Sequence, residues 1–225
     1  INMAGVASSG EVIPTESDLK VTSSEKGNII IRDNASVDVS GAGSGDIFIR
    51  GGEFISDDAH LYARTLGDKD AGVTDIRATN LSFDHSSGIY ANTEGSGNGG
   101  HLILNASESA KLSSGSQIAL RSLDSGEHSG DSGDLLIEAK QIELNDGAGI
   151  DAHTDGSGHG GHLTFDASES ATFSDAMIRL GAWGDDENAG NSGSLMVNAK
   201  NITFNNGSGI DAHTSGNGKG GDVTL

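Results

Sequence analysis

Two stretches gather most of the side chains able to do chemistry. One is GIDAHTDGSGHGGHLTF at residues 149–165 and the other is GIDAHTSGNGKGGDVTL at residues 209–225. The first places Asp151, His153, His159 and His162 around a glycine-rich turn. Those residue types suit a metal site or an acid/base pair, and the turn suits a phosphate loop. A looser copy, GIYANTEGSGNGGHLIL, begins at Gly88. A second group is acidic. The loops SLDSGEHSGDSGD (122–134) and WGDDENAGNSG (183–193) carry Asp124, Glu127, Asp131, Asp134, Asp185, Asp186 and Glu187. Clustered carboxylates on Gly/Ser-rich loops have the chemistry of an oxygen-ligand calcium site, so calcium is the one cofactor the sequence suggests.

The interval at which these words recur shows what must position them. Ile89, Ile150 and Ile210 head the three copies, 61 and 60 residues apart. A denser signal runs through Leu102, Leu135, Leu163, Leu195 and Val223, at intervals of 33, 28, 32 and 28 residues. The unit is therefore about thirty residues, and the longer period holds two versions of it, one with short turns and one with long. Each unit divides into three alternating segments of strand length, as in QIELN, GIDAHT and GHLTFDA. Alternation turns Ile142, Leu144, Ile150, Ala152, Leu163, Phe165 and Ala167 to one face, and the other units repeat the pattern. No apolar stripe of helical period is present. Short strands in a fixed triplet order predict an all-β right-handed parallel β-helix, a β-solenoid of about seven three-strand coils, because only stacked coils bury such inward rows. The chain reads as one repeat domain, irregular or a partial coil over residues 1–27 and regular coils over 28–225. It stops at GGDVTL within a unit, which suggests a segment of a longer chain.

On such a frame most of the candidate chemistry becomes scaffold. With Ile150 and Ala152 inward, Asp151 and His153 point outward, and an outward column runs Ala119, Asp151, Arg179, Asp211. That is a cross-strand charge ladder whose exposed contacts contribute ~0.2–1 kcal/mol each. A hydrolase needs two carboxylates ~5–10 Å apart in a groove, whereas the nearest outward aspartates stand two coils apart with an arginine between. His101 and His162 open corresponding strands two rungs apart, about 9–10 Å, too far to share an ion held at ~2.1 Å. Phosphate binding needs a helix after the glycines, and a strand follows here. The glycines are instead expected at positive φ in tight corners. Calcium-binding nonapeptide repeats return every nine residues, not every sixty. Thr65, Thr93, Thr154 and Thr214 recur only at strand ends and share their face with charges, so no threonine ice-binding face is expected. Trp183 is expected to pack against the neighbouring loop rather than to contact a sugar.

Composition sets the outer bounds. The chain has 225 residues with 35 Gly, one Pro, no Cys and a formal charge of −20. That charge repels nucleic acid and anionic membrane and excludes both as partners. Absent cysteine removes disulfides and thiolate metal sites. No apolar run approaches the ~20 residues of a membrane span.

The unit GSGDIFIRGGEFISDDAHLYARTLGDKDAG, followed by units of the type NGSGIDAHTSGNGKGGDVTL, resembles the repeat regions of filamentous-haemagglutinin-like exoproteins. These are the large secreted partners of two-partner secretion systems in Gram-negative bacteria. The resemblance spans roughly Gly43 to Leu225 and rests on the order of IFIRGG, TLGD and the GSGxGG turns. It implies a β-helical surface fibre, export through an outer-membrane transporter, and a role in adhesion, aggregation or biofilm. It supplies no adhesive residues to carry over, and neither a secretion domain nor an effector module is in the sequence. The expected partners are further coils of the same polypeptide, other copies of it, and surface glycans or host receptors. No catalytic centre is expected. The alternative readings are a calcium-dependent or carbohydrate-binding module, and a polysaccharide lyase or hydrolase, the last opposed by the lack of clustered Arg or Lys beside the acidic loops.

Overall fold

The alternating segments stack as parallel strands. The computed structural model describes residues 1–126, 128–184 and 189–225, and among these it forms a β-solenoid of about seven coils without a helix. One sheet carries the short strands Ser36–Asp38, His60–Tyr62, Gly88–Tyr90, Gln117–Ala119, Gly149–Asp151, Met177–Arg179 and Gly209–Asp211, each parallel to the next. The larger sheet is built on the long strands Val73–Asp84, His101–Leu112, Asp134–Asn145, His162–Ser174 and Ser194–Asn205. Isolated bridges then link Gly41, Thr65, Thr93, Ser122, Thr154, Ala182 and Thr214 in a single column.

The long strands differ from the expected three separate segments. The last segment of one unit runs straight on into the first of the next, because the linkers NASES, EAKQ, DASES and NAKN contain neither Gly nor Pro to break an extended chain. The bend is made by a register shift instead. Five residues from Asn105 to Ser109 oppose four from Glu138 to Gln141, and the same offset recurs at Ala167/Ser170. The sixty-residue period thus has two physical signs: an extra residue at this bend in alternate coils, and a longer loop at another corner in the coils between.

Inward rows fall as the alternation dictates. Val37, Leu61, Ile89, Ile118, Ile150, Ile178 and Ile210 stack in register, as do Ile76, Leu104, Ile137, Phe165 and Val197. Nearly all are fully buried in one continuous core, to which Phe173 and Phe204 add stacked rings 4.5 Å apart. Each side chain has its counterpart about 4.8 Å above and below, so shape matching along a column replaces the irregular packing of a globular core.

The threonines prove to be interior. Thr65, Thr93, Ser122 and Thr154 are buried, aligned on the bridge column. Ser122 Oγ donates to Gly130 O at 2.6 Å, but the Oγ1 atoms of Thr65, Thr93 and Thr214 have no partner among the described residues. An unbonded buried hydroxyl is destabilising, so Thr93→Val, which keeps the shape, should raise stability by about 1 kcal/mol. Ser122→Ala should lower it, and urea midpoints of the two variants provide the check.

The glycine expectation is corrected. Positive φ is confined to Gly115, Gly147 and Gly207 among the glycines, with several Asp, Asn, Ser and His residues at the same corner. The GSGxGG glycines have another reason to be glycine. Gly97, Gly130, Gly158, Gly190 and Gly218 form a column in which a Cβ would fall on the carbonyl of the residue one coil below. Gly100, Gly133, Gly161, Gly193 and Gly221 form a second; at Gly133 the added carbon would stand 2.6 Å from Gly100 O. Backbone lies directly on backbone there, and no side chain fits between.

At the start of the chain, Asn2–Ala4 adds a strand beside Ile47–Arg50, and residues 5–27 then leave the solenoid. They contain an antiparallel hairpin, Val12–Pro14 with Leu19–Val21, that folds over the outer face of the large sheet. Leu19 and Phe48 are buried there, outside the main core.

Candidate functional site

Because the short strands pair in exact one-to-one register, Ala119, Asp151, Arg179 and Asp211 occupy one outward column as expected. The expected arginine–aspartate contacts, however, are not made among the described residues. Each aspartate bonds the histidine two residues on, Asp151 to His153 Nδ1 and Asp211 to His213 Nδ1, both at 2.5 Å. Residues i and i+2 of a strand share a face, which is why the pair closes within one chain segment. The His213 bond holds the Asp211 carboxyl below the usual carboxylate range. His153, expected to point outward, is only 4 % exposed: Trp183 lies on its ring with centroids 3.8 Å apart, and Asp155 stands 3.4 Å from its Nε2. Trp183 therefore packs on the coil below, its other side toward His213 at 6.2 Å.

His101 and His162 lie on either side of Asp134 in the register of the large sheet. Asp134 contacts His101 Nδ1 at 3.3 Å and accepts the backbone N–H of His162 at 2.8 Å. His162 Nδ1 turns away to Ser194 Oγ. Of the calcium candidates, Asp124 accepts the N–H of Gly126, Asp131 that of His159, and Asp134 that of His162. Each of the three is thus bonded to its own backbone donor. Glu127, Asp185, Asp186 and Glu187 lie outside the described residues. Among the described residues no three His, Asp or Glu side chains are grouped so as to hold a metal ion.

Two arrangements were not anticipated. The first is a ladder up the glycine-rich corner. Asp70 accepts the N–H of Asn98, Asn98 that of Asp131, Asp131 that of His159, His159 Nδ1 that of Asn191, and Asn191 that of Lys219, at 2.7–3.1 Å. Every member except Lys219 is an acceptor, so the variable position of each GSGxGG-type turn bonds coil to coil. That acceptor at a fixed place in each repeat is visible in the sequence once the units are aligned. The second is a buried charge cluster. Arg50, 5 % exposed, donates to Asp75 Oδ1 and Oδ2 at 3.1 and 2.9 Å and to Asp18 Oδ1 at 2.6 Å, while Arg77 adds two bonds to the same Asp75. Arg50 belongs to the IFIRGG element, whose alternation places it outward; its burial depends on the hairpin, which no local pattern announces.

Among the described residues these polar groups are bonded to neighbouring coils or within their own turn. Comparison with known protein families, with curated proteins and with solved structures finds no match to this chain.

Proposed function

We propose that the chain is a structural segment of a secreted bacterial surface fibre or adhesin, a stiff rod that carries adhesive contacts away from the cell. The β-solenoid fold is consistent with that role. What supports it most is one observation: the described polar side chains singled out above, including Asp151, His153, Asp131 and His159, are bonded within the solenoid or stacked on it. This is the pattern of a scaffold, and the reading assigns the chain no catalytic centre.

Display of the chain on a non-aggregating bacterium tests the proposal. Cells carrying it should sediment several-fold faster and retain more biomass on a surface than cells displaying a globular domain of equal size. Equal sedimentation and equal retention would overturn the adhesive role.

A further inference from the structure

The outer face of the large sheet is occupied over its first coils, and over the next ones no described segment covers it. Three outward rows cross it. The middle row runs Phe48, Asp75, Ile103, Leu136, Thr164 and Met196, each in register with the next. Over its start lies the hairpin, and there Phe48 and Asp75 are buried. Beyond the hairpin Ile103, Leu136 and Thr164 are half-buried and Met196 is 45 % exposed, forming an apolar strip. A groove of about 310 Å³ opens over Ile103, Leu136 and Thr164, walled on one side by His101, Asp134 and His162.

The row on the other side reverses its charge along the solenoid. Under the hairpin it is basic, Arg50 followed by Arg77, and it receives the acidic Asp18. In the bare coils the same row reads Asn105, Glu138, Asp166. Glu138 bonds Asn105, and Lys140, which lines the same hollow as Glu138 and Asp166, is held by Glu108 at 2.7 Å. We propose that this bare strip is a docking site for an extended segment of another polypeptide, one in which apolar residues alternate with Lys or Arg. The apolar side chains would lie on Ile103, Leu136 and Met196, as Leu19 lies on the outer face below. The basic ones would reach Asp134 on one wall and Glu138 and Asp166 on the other. A second copy of this chain fits less well, since at a charge of −20 it would set carboxylates against carboxylates.

Fluorescence anisotropy of two short labelled peptides, titrated with the full chain at physiological ionic strength, tests the proposal. One peptide alternates leucine and valine with lysine, the other with glutamate. The lysine peptide should bind and the glutamate peptide should not. Leu136→Ser and Glu138→Gln, both outward changes that leave the core intact, should each weaken binding by about tenfold. Glu169→Gln, an equal loss of charge on the next stretch of the sheet, should leave it unchanged. Equal weakening by Glu138→Gln and Glu169→Gln would mean diffuse charge attraction and overturn the proposal, as would indifference to Leu136→Ser. A concentration-dependent dimer in sedimentation velocity, abolished by Leu136→Ser, would overturn it in favour of a second copy. These readouts are separate from cell aggregation, so either proposal can fail alone.

Discussion

Gly158→Ala should lower the stability of the solenoid by about 3 kcal/mol, the upper end of what overpacking costs in a close-packed interior. The added methyl group would fall on the carbonyl of Gly130, while Gly190 stands over Gly158 in the same way from the coil above. Neither neighbour is the tip of a flexible side chain. To make room, two coils must separate along the axis, and the N–H to carbonyl bonds of this corner, Gly160 to Asn191 and Ser132 to His159, lengthen with them. Gly207→Ala provides the contrast. Gly207 has φ of +81° with open space around its Cβ position, so alanine there meets only the left-handed backbone penalty of about 1 kcal/mol. Equilibrium denaturation of the two variants separates close approach from conformational freedom as the reason for glycine. A Gly158→Ala loss no larger than that of Gly207→Ala would sink the stacking argument.

The same contrast shows what was legible in the sequence. Period-two alternation placed Ile150, Phe165, Leu195 and their equivalents in the core, because strand geometry leaves a residue only two directions to face. The register of Ala119, Asp151, Arg179 and Asp211 followed from the repeat interval. The cause of the glycines did not, since a glycine at positive φ and a glycine under a carbonyl look alike in a string of letters. His153 was assigned its outward side correctly, yet its cover comes from Trp183, one coil on, so its burial was not local information. The threonine column failed for a different reason. Thr93 and Thr154 stand two residues beyond Ala91 and Ala152, so the alternation that buries Ile89 and Ile150 carries them inward as well; their side was legible, and it was their hydroxyls that argued for the surface. The seven calcium candidates were chosen by composition; for Asp124, Asp131 and Asp134 the backbone donor that each accepts was beyond the reach of composition.

Asp75→Ala should have the largest effect of any single substitution outside the core column, about 3–5 kcal/mol, because it strands the buried guanidinium of Arg50 without its two-oxygen partner. Asp18 is half exposed and reaches Arg50 through one oxygen, so it cannot compensate. The hairpin should respond first, since Asp18 and Leu19 are its polar and apolar attachments to the sheet. Limited proteolysis should therefore cut Asp75→Ala within residues 6–26 well before the coils, and the wild-type chain at neither place. Replacing both charges together, Arg50→Met with Asp75→Leu, removes the unpaired ion and should recover most of the loss. If the double variant is as unstable as the single, the cluster acts through shape rather than charge. Acid offers the same test without mutation. The Arg50 bond depresses the Asp18 carboxyl, so its contribution is present above the ordinary carboxylate value and is lost as pH falls through the lower folded one. Hairpin cleavage by an acid-stable protease should accordingly rise below the usual carboxylate range and stay flat above it, whereas in Asp18→Asn it should be high and independent of pH throughout.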